Sequence, residues 1–286
     1  MRCRVAGSAG GCAGAGAFGS RTRAAAQEPE ASRYPAWAGA FPVSASLRKR
    51  FWQHVSVVPQ DTAFVLFLDD RPLRLPGGSV LGLPTAALAA AVAEEWRLAG
   101  GGIGEIFGPD DLVLTGLAGS LQERVAPAPR AIVDLLHAHA ATDLLCYRAS
   151  SPASLVQQQE GLWQPWLDWL EHRHGVRLAV TSGVMPIGQD TGSMARLHRM
   201  LCRQSPVTLT GLGAMVPVLG SVVLGLAVAS GELESMRAVE LARLDESFQA
   251  RLWGMQPETE AATGRMRIET ALAARFISLA TPVDAA

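Results

Sequence analysis

The chain has 286 residues, of which 49% are hydrophobic, and carries a formal net charge of −1. That length allows one large or two moderate domains, and the near-neutral balance gives no electrostatic footprint for nucleic acid. Lysine occurs once, in Arg48-Lys49-Arg50 with no glycine loop before it, so a P-loop ATPase is excluded and a Schiff-base lysine is disfavoured.

Residues 1–45 are rich in Gly, Ala, Ser and Arg and hold no acid before Glu28. The composition fits a tail or targeting segment without fixed structure: a mitochondrial transit peptide, a disordered bacterial tail or an over-extended start site. Residues 46–82 are expected to form a small β-rich domain. Phe51–Val58 and Ala63–Leu68 are short runs rich in Val, Phe and Leu, the turn Asp69-Asp70-Arg71-Pro72 follows, and Leu73-Arg74-Leu75 returns before Pro76-Gly77-Gly78.

Residues 83–280 read as a helical bundle. Thr85 is a candidate N-cap for a helix to about Leu98, which Gly100-Gly101-Gly102 stops. Pro129 opens a helix with Ile132, Leu135, Leu136 and His139 on one face, and Ser151-Pro152 opens another that Pro165 kinks or restarts and Gly175 ends. Val176–Val180 alternates like a short strand. Further helices are expected over 191–204, 206–216, 217–230, 234–253 and 257–280. The fold class is α+β, a small N-terminal sheet followed by a larger helical bundle.

Between Arg203 and Glu232 no charged residue occurs, a length that could cross a bilayer. Pro217 and the run of glycines instead favour a buried hairpin of two short helices, without membrane insertion. Four scattered cysteines, Cys3, Cys12, Cys146 and Cys202, have no paired spacing, which points to a reducing compartment. His137/His139 and His172/His174 are spaced by two, about 200° apart on a helix, so neither pair chelates one metal. His139 is expected to be a core or interhelical histidine. Trp163, Trp166 and Trp169 are spaced for core packing. Glu94 and Glu95 are the nearest approach to an acid–base pair, yet adjacent helical residues diverge; Glu95 shares the side of Leu88, Ala91 and Val92 and is expected to be partly buried and paired with an arginine. No cofactor, metal or catalytic residue is expected.

The segment 241–253 offers something else. On one helix, Leu241, Leu244, Phe248 and Leu252 share an apolar face, while Ala242, Glu246, Gln249 and Trp253 fall on a second stripe that the core does not need. A tryptophan on such a stripe suits a protein interface, since it buries a large area and keeps a polar handle.

Several phrases together carry a resemblance. They are Phe67-Leu68-Asp69-Asp70-Arg71-Pro72, Glu94-Glu95-Trp96, and Thr142-Asp143-Leu144-Leu145-Cys146-Tyr147-Arg148-Ala149 with Pro152, Leu155, Gln159, Trp163-Gln164-Pro165 and Trp169. Gly220-Ser221, Asp245-Glu246, Gln249 and Trp253-Gly254 complete the set. In order and spacing the chain resembles, over roughly residues 48–280, the ATP synthase assembly chaperones that protect the free alpha subunit of the F1 head. The resemblance implies a small β domain with an orthogonal helical bundle and a non-enzymatic, monomeric protein that holds an unassembled alpha subunit until the beta subunit displaces it. It places Glu246, Gln249, Trp253 and Asp245 on the contact surface, with Glu95 and Trp96 as weaker candidates. It sets the protein in the bacterial cytoplasm or, alternatively, the mitochondrial matrix. The chain departs from its relatives at Gly100–Gly102 and Phe107-Gly108-Pro109-Asp110, at Asp69-Asp70 in place of Asp-Gly, and in lacking an acid after Trp253-Gly254. Two other readings stay open: an enzyme with a small-molecule pocket between the sheet and the bundle, and a membrane subunit spanning residues 207–230.

Overall fold

The computed structural model describes residues 47–282 apart from 184, 186 and 255; the expectations for residues 1–45 lie outside the described residues. A short ribbon comes first, β1 (Arg48–Lys49) pairing antiparallel with β6 (Ile106–Phe107). Between them lies an antiparallel sheet of β2 (Val55–Gln60), β3 (Ala63–Leu68), β4 (Arg71–Pro72) and β5 (Gly82–Leu83), with β3 central. β2 begins four residues later than its apolar run, because Trp52 leaves the strand direction to enter the core, where it is fully buried. The Asp69 carboxylate holds that entry by accepting hydrogen bonds from the Gln53 and His54 N–H groups at 3.0 and 2.9 Å. Asp69 itself sits at φ 52°, a left-handed conformation that an Asp tolerates better than most side chains. The return segment 73–75 forms one bridge, Arg74 to Val80, and no longer strand.

α1 (Ala86–Leu98) starts where expected: the Thr85 hydroxyl accepts from Leu88 N–H at 3.1 Å and donates to the Leu279 carbonyl. The far end of α1 is closed by a side chain from β1's exit. Arg50 donates to the carbonyls of Arg97 at 2.7 Å and Ala99 at 3.1 Å, groups that a helix C-terminus leaves unpaired. Trp52, Trp96 and Phe107 then pack edge to face with centroids 4.9 to 5.9 Å apart, joining ribbon, helix and sheet.

The bundle follows with α2 (Val113–Ser120), prolonged by one wide turn over Leu121–Val125, then α3 (Pro129–Ala140) and α4 (Ala153–His174). α5 (Thr191–Leu201), α6 (Pro206–Leu219), α7 (Val222–Ala229), α8 (Ser235–Ala242), α9 (Leu244–Trp253) and α10 (Pro257–Ala280) complete it. The hairpin α6–α7 is the uncharged run, and nearly all its side chains are buried among α3, α8 and α10. No helix among the described residues is long and apolar enough to cross a membrane.

Three expectations are corrected here. Pro217 lies inside α6, and the hairpin turns at Gly220, whose φ of 67° lets its N–H reach the Val216 carbonyl at 2.8 Å. A proline in the last turn forfeits one hydrogen bond, whereas the left-handed glycine terminates the helix. α4 likewise continues through Pro165 without restarting. Val176–Val180 alternates in burial but is no strand: the Gln189 amide pairs with both backbone groups of Ala179, at 2.7 and 3.1 Å, in place of a neighbouring strand. The parallel pair that does form is β7 (Tyr147–Arg148) with β8 (Thr181–Ser182).

Two buried features hold the hairpin. Asp143, fully buried, accepts from Leu145 N–H at 3.1 Å, the Ser221 hydroxyl at 2.8 Å and Val223 N–H at 3.2 Å, tying the turn 144–146 to the start of α7. Gly211 lets α6 approach α10 so closely that an added Cβ would stand 2.4 Å from Ile277 Cγ1. Gly211→Ala is therefore expected to destabilise by about 1–3 kcal/mol despite alanine's better helix propensity. A urea titration checks it; a stabilised variant would mean the two helices can part freely.

Candidate partner-binding surface

The helix expected over 234–253 is two helices, broken at Arg243, where φ and ψ are −106° and 21°. The break has a local cause. In an unbroken helix the Leu241 carbonyl would accept from Asp245 N–H; instead it accepts the indole N–H of the fully buried Trp163 at 2.9 Å. Four residues on, Asp245 accepts from the amide of Gln159 at 2.7 Å, while the Gln159 carbonyl oxygen accepts from Ala149 N–H at 2.7 Å. Gln159 is itself completely buried and Asp245 half-buried, so α9 is bolted to α4 at its first turn by a part-buried polar contact.

The break re-aims the two stripes. Ala242 is buried and leaves the outer stripe, and Leu252 leaves the core face and is 60% exposed. Leu244 and Phe248 remain the anchors of α9. Beyond Phe248 the helix projects. Gln249 is exposed, and Trp253, at 78%, is the most exposed large hydrophobic side chain among the described residues. Arg251 lies with its guanidinium 5.7 Å from the Phe248 ring and donates to Gln158 at 2.8 Å, which braces the projecting end. Glu246 is half-exposed and paired with Arg243 at 2.6 Å. The four residues Asp245, Glu246, Gln249 and Trp253 thus lie on one helix, but Asp245 faces inward as its bolt.

Glu95 and Trp96 have a different place. The Glu95 carboxylate accepts from Leu114 N–H at 2.6 Å and from the N–H and hydroxyl of Thr115, both at 2.9 Å, so it caps the N-terminus of α2. Its hydrogen-bond donors are two backbone N–H groups and one hydroxyl, and the arginine whose charge acts on it is Arg275. Burial pushes its carboxyl above the ordinary range, and these hydrogen bonds oppose the shift. Trp96, 6% exposed, donates its indole N–H to the Thr115 hydroxyl at 3.0 Å. Both side chains join α1 to α2.

A second apolar exposure was not singled out by pattern. Leu47, Phe51, Leu98, Ile103 and Ile106, each 58–68% exposed, come from the ribbon β1–β6 and its flanks, the end of α1 and the glycine loop after it. Leu47, Lys49 and Phe51 alternate with the inward Arg50 and Trp52, a period-2 signal too short to separate from a strand with one face in the core. His137 and His198 meet between α3 and α5: His137 lies against the Met194 carbonyl at 3.2 Å and the His198 ring at 5.4 Å, and His198 stands 3.5 Å from Asp134, while His139 is half-buried. Trp163 is wholly in the core, and Trp166 and Trp169 pack half-buried against it. Among the described residues no three His, Cys, Asp or Glu side chains converge as a metal site. A cavity of about 200 Å³ lies between the sheet and α2, lined by Leu73, Leu75, Trp96, Phe107 and arginines at Arg48 and Arg74.

Comparisons with known proteins agree on one family. A family model described as ATP12 chaperone protein matches residues 49–171. The crystal structure of Atp12 from Paracoccus denitrificans superposes with a TM-score of 0.75 at 38% identity, covering 82% of this chain and 98% of that one. A chain from Agrobacterium tumefaciens superposes with a TM-score of 0.73 at 31% identity, covering 82% and 86%. The mitochondrial protein atp12 of Schizosaccharomyces pombe is 22% identical over 214 residues, 72% of this chain and 74% of that protein. With near-complete coverage of a bacterial relative at that identity, and an α+β fold in common, the chain belongs to the ATP12 chaperone family.

Proposed function

We propose that this chaperone of ATP synthase assembly binds the unassembled F1 alpha subunit, covers its apolar interface and yields to the beta subunit, making and breaking no bonds. The observation that carries the reading is Trp253, 78% exposed at the free end of a helix whose base is tied by Asp245 to the buried Gln159. A large exposed aromatic costs solubility, and its burial against a partner is how interface anchors are built. Glu246 and Gln249 supply polar contacts beside it, and the apolar ribbon at Leu47, Phe51 and Ile106 offers a further face to a large client. Orphan subunits of an obligate oligomer expose interfaces of that size. The protein acts as a monomer, in the cytoplasm of a bacterium or in a mitochondrial matrix. The enzyme reading is the weaker one: a cavity of about 200 Å³ is smaller than the roughly 300–1,000 Å³ of small-molecule sites.

Glu246→Lys tests the surface. The substitution replaces an ion pair with Arg243 by like charge, a change of at most about 1 kcal/mol at a half-exposed site. The variant should therefore melt close to the wild type yet fail to support accumulation of assembled F1 in cells lacking the native gene. Normal assembly with Glu246→Lys would remove this residue from the mechanism.

A further inference from the structure

The cavity between the 73–76 turn, β6 and α2 shares no residue with the α9 surface. Its floor is apolar, built from Leu73, Leu75, Phe107 and Leu112, and its volume is about 200 Å³. That space is small for a metabolite and suits one leucine or phenylalanine side chain. The charged groups on its lining are Arg48, Arg74, Arg124 and Glu123, so cations outnumber the single carboxylate. Arg48 and Arg74 are both exposed. Arg74 commits one of its five N–H donors to the Gly78 carbonyl, at 2.8 Å. The Glu123 carboxylate accepts from the Ser79 hydroxyl at 2.8 Å.

The cavity also adjoins the apolar face of the ribbon. Arg48 stands opposite Phe107 in the β1–β6 pair, and both line the cavity. Side chains alternate along a strand, so the neighbours Leu47 and Ile106 turn to solvent, 68% and 59% exposed. Leu47 still reaches the rim: its Cδ2 lies 3.3 Å from where a Cβ on Gly108, a lining residue, would stand. A polypeptide laid across the ribbon therefore meets exposed apolar side chains, an apolar recess and guanidinium groups together. Guanidinium groups select carboxylates, which they can hold by paired hydrogen bonds. An apolar recess ringed by such charges has the form of an interface hot spot.

We propose that this cavity is a second anchor pocket for the client: it takes one apolar side chain of the alpha subunit, from a segment whose neighbouring residues are Asp or Glu and meet the arginine rim. The proposal rests on the client reading above and adds to it the chemistry of the segment recognised. The pocket and the end of α9 then hold the client through separate residues.

The test is titration calorimetry of the full chain with isolated alpha subunit, using two kinds of cavity variant. Arg48→Glu with Arg74→Glu reverses two exposed rim charges, and Leu112→Trp fills the recess from its half-buried floor. Arg173→Glu with Arg199→Glu makes the same change of charge at exposed positions on α4 and α5. Circular dichroism establishes that each is folded. Both cavity variants should bind at least about 10-fold more weakly than the wild type, and the α4–α5 control within about 3-fold of it. A cavity variant that binds like the wild type would overturn the proposal and leave the client reading standing, as would equal weakening in the control. A wild-type chain that is dimeric alone and monomeric as Leu112→Trp would give the cavity to a second copy and overturn it as well. A wild type that binds no alpha subunit would overturn both readings together.

Discussion

Asp143→Ala is expected to lower stability by about 3 kcal/mol, the largest effect of any single substitution in the hairpin's supports. Three buried donors, from Leu145, Ser221 and Val223, converge on that carboxylate. An unsatisfied buried donor costs about 1–3 kcal/mol, and the relief of burying a carboxylate offsets part of the total. For a domain of this size the midpoint of thermal unfolding should fall by roughly 10 °C. The same site gives a pH dependence. Burial away from water raises the Asp143 carboxyl from 3.8 to about 6, against the pull of Ser221 and the backbone N–H groups. The folded state then holds the proton more tightly than the unfolded one, so this contribution is full below about pH 4 and is lost as pH rises through about 6. Relative to Asp143→Asn, the wild type should lose up to about 3 kcal/mol between pH 4 and 7. Parallel pH profiles for the two proteins in chemical denaturation would contradict the shift.

Trp253→Ala carries the largest effect expected on binding. The side chain is 78% exposed, so its removal should change stability by no more than about 0.5 kcal/mol. Anchors of this type lose about 2 kcal/mol or more of binding free energy on truncation, roughly 30-fold in affinity. Titration calorimetry with an isolated alpha subunit reads both the affinity and the heat. An unchanged affinity would show that the end of α9 faces solvent in the complex, and would shift the contact to the ribbon around Phe51 and Ile106.

Elements bounded by strong local punctuation were legible in the sequence. α1 follows its Thr85 cap, α10 opens on Pro257, and β3 coincides with its apolar run. Breaks set by tertiary contacts were not legible. The end of α8 depends on the indole of Trp163, which lies 78 residues before the carbonyl it takes. The failure of Val176–Val180 to pair depends on one glutamine amide ten residues ahead. Pro217 drew attention from Gly220 because proline is the louder signal, although its place in the last turn of α6 made it tolerable.

The candidate site divides on the same line. Glu246, Gln249 and Trp253 could be grouped from helical spacing alone, since all three lie within α9. Asp245 fits that spacing equally well, and only its hydrogen bond to Gln159 reveals the inward role. Glu95 and Trp96 resembled surface candidates because their partners, Leu114 and Thr115, are 19 and 20 residues away and carry no motif. The exposed ribbon was hidden by brevity, as two residues per strand leave no period to detect.

The decisive measurement is co-purification of the full chain with an F1 alpha subunit expressed without its beta subunit, followed by addition of purified beta. A soluble one-to-one complex, released when beta is added and absent for Trp253→Ala and Glu246→Lys, is the expected result. Alpha subunit that aggregates equally with and without this protein, with none recovered in the bound fraction, would contradict the client assignment outright.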